Sequence, residues 1–210
     1  MLKNFAYLIF SVVVFFLFTL LYGSILNIRE KPLNEILKER NISELDNPKI
    51  AVKVSENVLL LFNGDELIKK YKINLGRSKY KLADSRKNYI TTPKGIFSVC
   101  DFYPDKKYYK SFLLNYPDSL TILKAFKLKL IDAKSLKKML NDKKYGCKGK
   151  FDKKIFGPPL TIHGFGKVNY ILKNLPFVFN WTNGSIALSN EDLDEISPYL
   201  QIGTKIKITH

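Results

Sequence analysis

Apolar and polar positions divide the chain into three regimes. From Phe5 to Leu26 there are 22 residues without a charge, a helix of about 33 Å at 1.5 Å per residue, long enough for a hydrocarbon layer of about 30 Å. Residues 29–47 are polar, with Leu33, Ile36 and Leu37 at helical spacing, and read as a short helical linker that lifts the rest of the chain off a bilayer. From residue 48 the pattern turns to short apolar runs. Ile50–Val54 and Val58–Phe62 read as strands, Asn63-Gly64 as a two-residue hairpin turn, and Glu66–Ile73 as the returning strand.

Residues Gly76–Tyr89 are polar and irregular, and Thr92-Pro93-Lys94-Gly95 is a turn ahead of another strand, Ile96–Tyr103. Tyr108–Leu114 is again strand-like. After Tyr116-Pro117, Leu120–Leu130 and Ala133–Leu140 carry apolar residues every third or fourth position, the second with Asp132 as N-cap, and predict two short helices in an insertion reaching about Lys154. Ser189-Asn190-Glu191-Asp192 opens a helix to about Ile196, and Gly203–Ile208 alternates as a closing strand. The class is therefore mainly β with inserted helices, α+β, divided as a membrane anchor or signal segment (1–28), a linker (29–47) and one domain (48–210).

An export signal has an apolar region of about 7–15 residues and a small-x-small cleavage site. This run is longer, and Tyr22-Gly23-Ser24 is a poor site, so an uncleaved anchor is favoured. Lys3 precedes the run whereas Arg29, Lys31, Lys38 and Arg40 come after it. Positive charges alone would hold the large domain in the cytoplasm, although long domains translocate largely regardless of charge.

The formal net charge is +16, and Lys outnumbers Arg 31 to 4. The lysines are scattered, with neither an aromatic-interleaved basic stripe nor zinc spacing for base readout. A membrane-tethered nucleic-acid binder would rest on charge and on the positive flank after the span alone, and no nucleic-acid partner is expected. The excess reads mostly as compositional bias, and if it has a function it suits anionic envelope polymers, anionic lipid headgroups or the carboxylates of peptidoglycan stems. Two histidines, His163 and His210, and two separated cysteines, Cys100 and Cys147, make no metal-ligand set, and neither a metal nor another cofactor is expected. The cysteines of an exported chain can pair, but their proximity is not legible. Cys147 has no turn or histidine nearby to activate it as a nucleophile.

The chemistry concentrates between Gly157 and Leu193. His163 ends an apolar run and is followed by Gly164, at a strand-to-loop exit. Further on, Trp181-Thr182-Asn183-Gly184-Ser185-Ile186 offers a tight turn, a hydroxyl directly after it, and backbone N–H groups able to converge as an oxyanion hole. A histidine and a turn-mounted nucleophile suit acyl transfer, although a lone histidine at a strand end is more often structural.

The order of these motifs resembles the L,D-transpeptidase (YkuD) family, in which His-Gly is followed by Thr/Ser-x-Gly-Cys-Ile. Here the pair reads Ile162-His163-Gly164 and Thr182-Asn183-Gly184-Ser185-Ile186-Ala187-Leu188-Ser189-Asn190, with Leu75-Gly76-Arg77, Thr92–Phe97 and Asn115-Tyr116-Pro117 upstream in matching order. Together they cover roughly Lys49 to Ile208. The resemblance implies a β-sandwich-like catalytic fold and an enzyme of the cell envelope that remodels peptidoglycan through an acyl-enzyme. It implies attack at a stem-peptide diaminopimelate carbonyl, with transpeptidation, amidase or carboxypeptidase outcomes, typically with susceptibility to carbapenems. By the same resemblance Ser185 is the nucleophile and His163 its base. The N–H groups of Gly184 and Ser185 hold the oxyanion, Asn183 orients, and Gly164, Trp181 and Thr182 line the substrate cleft, which the Thr92–Gly95 turn borders.

This chain departs from the pattern at three places. Serine stands where the family has its catalytic cysteine, Asn183 where relatives often carry His, Arg or Asp, and Ala187 where many carry Arg. With Trp181 before the motif, it is similar to the branch that includes an amidase detaching lipoprotein from peptidoglycan. A thiol of pKa about 8.5 is partly thiolate at neutral pH, whereas a hydroxyl must give up its proton during attack. Serine is thus compatible with an engineered knockout, a natural serine hydrolase, or a pseudoenzyme that binds peptidoglycan without turning it over.

Overall fold

The computed structural model describes residues 2–28, 30–76, 92–141, 147 and 151–209. The irregular stretch after Gly76, Arg77 of the upstream motif, the loop around Cys147 and the terminal His210 fall outside them.

Helix α1 (Leu2–Ile28) carries the uncharged run and α2 (Leu33–Glu39) comes after it. Strands β1 (Pro48–Lys53), β2 (Val58–Asn63), β3 (Glu66–Lys72), β4 (Gly95–Asp105) and β5 (Tyr109–Leu114) come next. Helices α3 (Ser119–Lys127), α4 (Ala133–Asn141) and α5 (Lys153–Phe156) form the insertion. Then come β6 (Thr161–Gly164), α6 (Asn169–Lys173), β7 (Ile186–Leu188), α7 (Asn190–Ile196) and β8 (Lys205–Thr209). The caps expected for α4 and α7 are in place: Asp132 Oδ1 accepts from Ser135 N at 2.7 Å, and Ser189 Oγ from Asp192 N at 3.0 Å.

The strands form one ladder in the order β3-β2-β1-β8-β4-β5-β6-β7, parallel between β1 and β8 and between β6 and β7. Residues Gly95–Ser98 of β4 pair with β8, and the rest of β4 pairs with β5 across an irregularity between Val99 and Asp101. One long strand thereby serves both halves of the sheet. The ladder's ends also meet, because beyond β3 the backbones of Asn74 and Ala187 exchange two hydrogen bonds of 2.8 Å and Gly76 bridges Thr182. Alternation puts Ile50, Val52, Ile206 and Ile208 into the core, which Leu193 and Ile196 of α7 complete. The expected β-rich class with inserted helices is the one observed.

Two expectations need correction. Asn63 pairs with Glu66, so the hairpin turn is Gly64-Asp65 and not Asn63-Gly64. A bulge between Leu61 and Phe62 shifts the register, and the Asn63 carboxamide is spent on Asn47 N at 2.9 Å. The linker is also no free spacer. Leu33 and Leu45 are buried in the domain core, and Leu33 N donates to Glu195 Oε1 at 3.0 Å. Burying these leucines outweighs the polarity of the segment around them.

Cys100, at the irregular point of β4, is bonded to Cys147. The bond ties the sheet to the chain after α4 and answers the pairing that the sequence left open.

Candidate active site

Strands β6 and β7 carry the candidate pair. His163 lies opposite Ala187 on β7 and opposite Ser111 on β5, and Ser185 immediately precedes β7. Thr161 and His163, two apart on β6, project from the same face of the sheet.

The His163 ring is buried, and its Nδ1 lies 2.8 Å from the carbonyl oxygen of Gly164. A carbonyl only accepts, so Nδ1 carries the proton and Nε2 is left with its lone pair. Tyr108 packs on the imidazole with ring centres 4.4 Å apart, and Trp181 meets it edge-on at 5.8 Å. This cage makes burial the main influence on the ring and lowers its pKa below the ordinary histidine value. The bond to Gly164 and the charge of Asp105 oppose that effect only in part. Asp105 is itself anchored: its carboxylate accepts from Lys107 N, Tyr108 N and Ser111 Oγ at 2.8–3.0 Å. Burial raises the Asp105 pKa, but these bonds outweigh it and hold the group below its usual range.

As pH falls, the unfolded chain protonates His163 first, at about 6.5. The histidine's contribution to stability is therefore complete above that pH and is lost as pH drops toward the lower folded-state value. We expect the unfolding midpoint of the full chain in detergent to fall more steeply between pH 7 and 5 than that of His163→Gln. The gap should approach about 1.4 kcal/mol per unit of depression. Parallel curves would mean that the ring is not held neutral by burial.

Ser185 sits after a turn that needs glycine, since Gly184 has φ +114°. Thr182 Oγ1 closes that turn on the carbonyl of Ser185. The Ser185 hydroxyl is buried. Its Oγ accepts from Thr161 Oγ1 at 3.0 Å and from Thr161 N at 3.3 Å, and donates to Pro159 O at 3.4 Å. It makes no hydrogen bond with His163. Among the described residues the N–H groups of Gly184 and Ser185 have no acceptor. Trp181 Nε1 is likewise buried without one. Asn183 is exposed, and with Gly184, Pro93, Tyr116 and Phe156 it lines a recess of about 10 Å³.

The expected histidine is thus buried on β6, and the expected hydroxyl is buried just before the neighbouring β7, after a turn whose N–H groups have no acceptor among the described residues. Sequence reasoning missed Tyr108, Thr161 and Asp105. Thr161 was detectable as the i−2 neighbour of His163 on one strand. Tyr108 and Asp105 arrive from the β4–β5 hairpin, and no local pattern links them to His163. Among the described residues no cluster of His, Cys, Asp and Glu could hold a metal ion.

No curated protein matches the chain significantly. Among solved structures it is similar to Bd1075 of Bdellovibrio bacteriovorus, at 15% identity over 79% of this chain and 48% of that one, with a TM-score of 0.49. It is also similar to the helical cell shape determining protein Pgp2 of Campylobacter jejuni, at 17% identity, 85% and 55% coverage and TM-score 0.46. L,D-transpeptidase 1 of Mycobacterium tuberculosis matches at 10% identity, with 78% and 62% coverage and TM-score 0.41. The chain therefore spans 48% to 62% of the length of these three proteins. The sequence profile of the YkuD family, the L,D-transpeptidase catalytic domain, matches residues 47–208, which include β1 to β8 up to Ile208 and every candidate residue named above, and the chain belongs to that family.

Proposed function

We propose that this chain is a membrane-anchored, envelope-facing enzyme that performs acyl transfer on peptidoglycan stem peptides. Ser185 Oγ attacks the diaminopimelate carbonyl while His163 Nε2 takes the hydroxyl proton. The N–H groups of Gly184 and Ser185 hold the oxyanion. Collapse of the tetrahedral adduct breaks the C–N bond, and His163 passes its proton to the departing amine. An amine acceptor then gives transpeptidation, and water gives hydrolysis. The observation that carries this reading is the Nδ1–H bond of His163 to Gly164, which fixes the tautomer a general base requires. Family membership supplies the substrate class. The 27-residue α1 supports anchoring, and the Cys100–Cys147 bond favours an oxidising compartment.

A second reading, a wall-binding module without turnover, is favoured by one observation: the Ser185 hydroxyl is bonded to Thr161 and Pro159 and not to the histidine. Incubating the full chain with purified muropeptides and monitoring the mixture by mass spectrometry separates the two. Slow appearance of released D-alanine, cross-linked dimers or trimmed stems is expected. Retention of muropeptides without any product would leave the binding module as the function.

A further inference from the structure

We propose that the surface made by α6 and the segment after it, residues 168–179, sits in the headgroup layer of the bilayer that α1 crosses, as a second membrane contact beside the anchor. This rests on reading α1 as an uncleaved span.

The contact between α1 and the domain fixes the height of that surface. Gly23 is buried against the domain, and a Cβ there would fall 1.7 Å from the carbonyl oxygen of Asn174. Helix backbone and loop backbone touch, an approach only glycine permits. One turn on, Asn27 Nδ2 donates to Lys173 O at 2.6 Å and to Asn174 Oδ1 at 2.8 Å. One turn back, Thr19 and Leu20 are half-buried on the same side of the helix. Lys3 is the charged residue before the apolar run. From Lys3 to Gly23 the helix rises about 30 Å, the thickness of a hydrocarbon core. With Lys3 at one headgroup layer, Gly23 and Asn174 lie at the opposite boundary.

Helix α6 ends one residue before Asn174, and its five residues extend about 7.5 Å. It cannot leave the interfacial zone without breaking the contact to α1. The side chains this segment exposes suit that zone. Tyr170 is 70% exposed, Ile171 and Phe177 52%, and Phe179 54%. Lys167 is exposed beside them. Aromatic and aliphatic groups flanked by lysine match the headgroup–acyl boundary, where amphipathic rings and cations are both favoured. The occupant of this face is therefore lipid. Held at two points, the domain cannot swivel freely about α1, so the site on β6 and β7 keeps one orientation to the membrane.

The full chain carries two cysteines, which are bonded to each other, so an introduced thiol takes a nitroxide label selectively. Single variants Val13→Cys in α1, Tyr170→Cys, Phe177→Cys and, before β8, Ile202→Cys all change exposed side chains. Each labelled chain is placed in nanodiscs of phosphatidylethanolamine and phosphatidylglycerol, and collision with oxygen is compared with collision with a water-soluble nickel chelate. The label at 13 should favour oxygen several-fold, the label at 202 should favour the chelate, and labels at 170 and 177 should give ratios clearly between the two. A lipid-like value at 13 with water-like values at 170 and 177 would overturn the proposal while leaving the anchor standing. A water-like value at 13 would remove the anchor reading and the proposal with it.

Discussion

Ser185→Cys is expected to convert a slow site into one that a carbapenem acylates and that processes muropeptides faster than the serine protein. Thr161 supplies the reason. Its N–H and Oγ1–H both point at the Ser185 oxygen, at 3.3 and 3.0 Å. Donors aimed at an atom favour the state in which it is charged. A serine hydroxyl gains little, because it stays protonated at neutral pH and lends its own hydrogen to Pro159 O. A thiol, with an ordinary pKa of about 8.5, would be pushed toward thiolate by the same two donors. The cage of Tyr108 and Trp181 keeps His163 neutral and able to accept the thiol proton. Acylation is read as a mass increase of the intact protein by one carbapenem. Adding His163→Ala should remove the gain, by about 10²–10⁴-fold in rate if the ring acts as a general base. If Ser185→Cys stays inert in a folded chain, the wall-binding reading takes precedence. If the serine protein is acylated as fast as the cysteine variant, serine is already a competent nucleophile.

How much of this was legible beforehand depended on whether the determining contacts were local. His163-Gly164 and Thr182–Ser185 were readable because a strand exit and a glycine turn are properties of a few consecutive residues. The capped helices α4 and α7 were readable for the same reason, since Asp132 and Ser189 act within three residues of themselves. Parallel pairing of β1 with β8 joins Ile50 to Ile206, and no local periodicity encodes a partner so distant. Strand β7, three residues long, is too short to declare itself by alternation. The cage was invisible because Tyr108 reaches His163 only through the pairing of β5 with β6, which sets Ser111 opposite His163. The orientation of the Ser185 hydroxyl was also illegible, being decided by Thr161 across the strand pair. Sequence therefore indicated which residues could carry the chemistry, whereas the protonation state of one and the hydrogen-bond partners of the other required the fold.

Gly76→Ala is expected to be the most damaging single methyl in the described part of the domain, and to damage stability and site together. A Cβ at Gly76 would lie 1.7 Å from Gly184 N, 2.2 Å from Gly184 Cα and 2.9 Å from the carbonyl carbon of Asn183. All three are backbone atoms, so no side chain can rotate out of the way. Either the chain beyond β3 withdraws, breaking the bridge between Gly76 and Thr182 and straining the Asn74–Ala187 pair, or the turn before Ser185 is pushed aside. The expected loss is about 3 kcal/mol, the upper range for a group forced into a packed interior. Whichever side yields, the N–H groups of Gly184 and Ser185 move relative to the reacting carbon, and misplacing one such donor costs about 10²–10³-fold in rate. The informative comparison is made in the Ser185→Cys background, where carbapenem acylation gives a rate. Gly64→Ala is the control: unlike Gly76 it has a positive φ, +62°, and nothing lies within 4 Å of its added carbon. That control should lose about 1 kcal/mol for backbone strain and keep its acylation rate, whereas Gly76→Ala should lose both. Equal stabilities and equal rates for the two variants would show that the contact between Gly76 and Gly184 does not hold the turn in place.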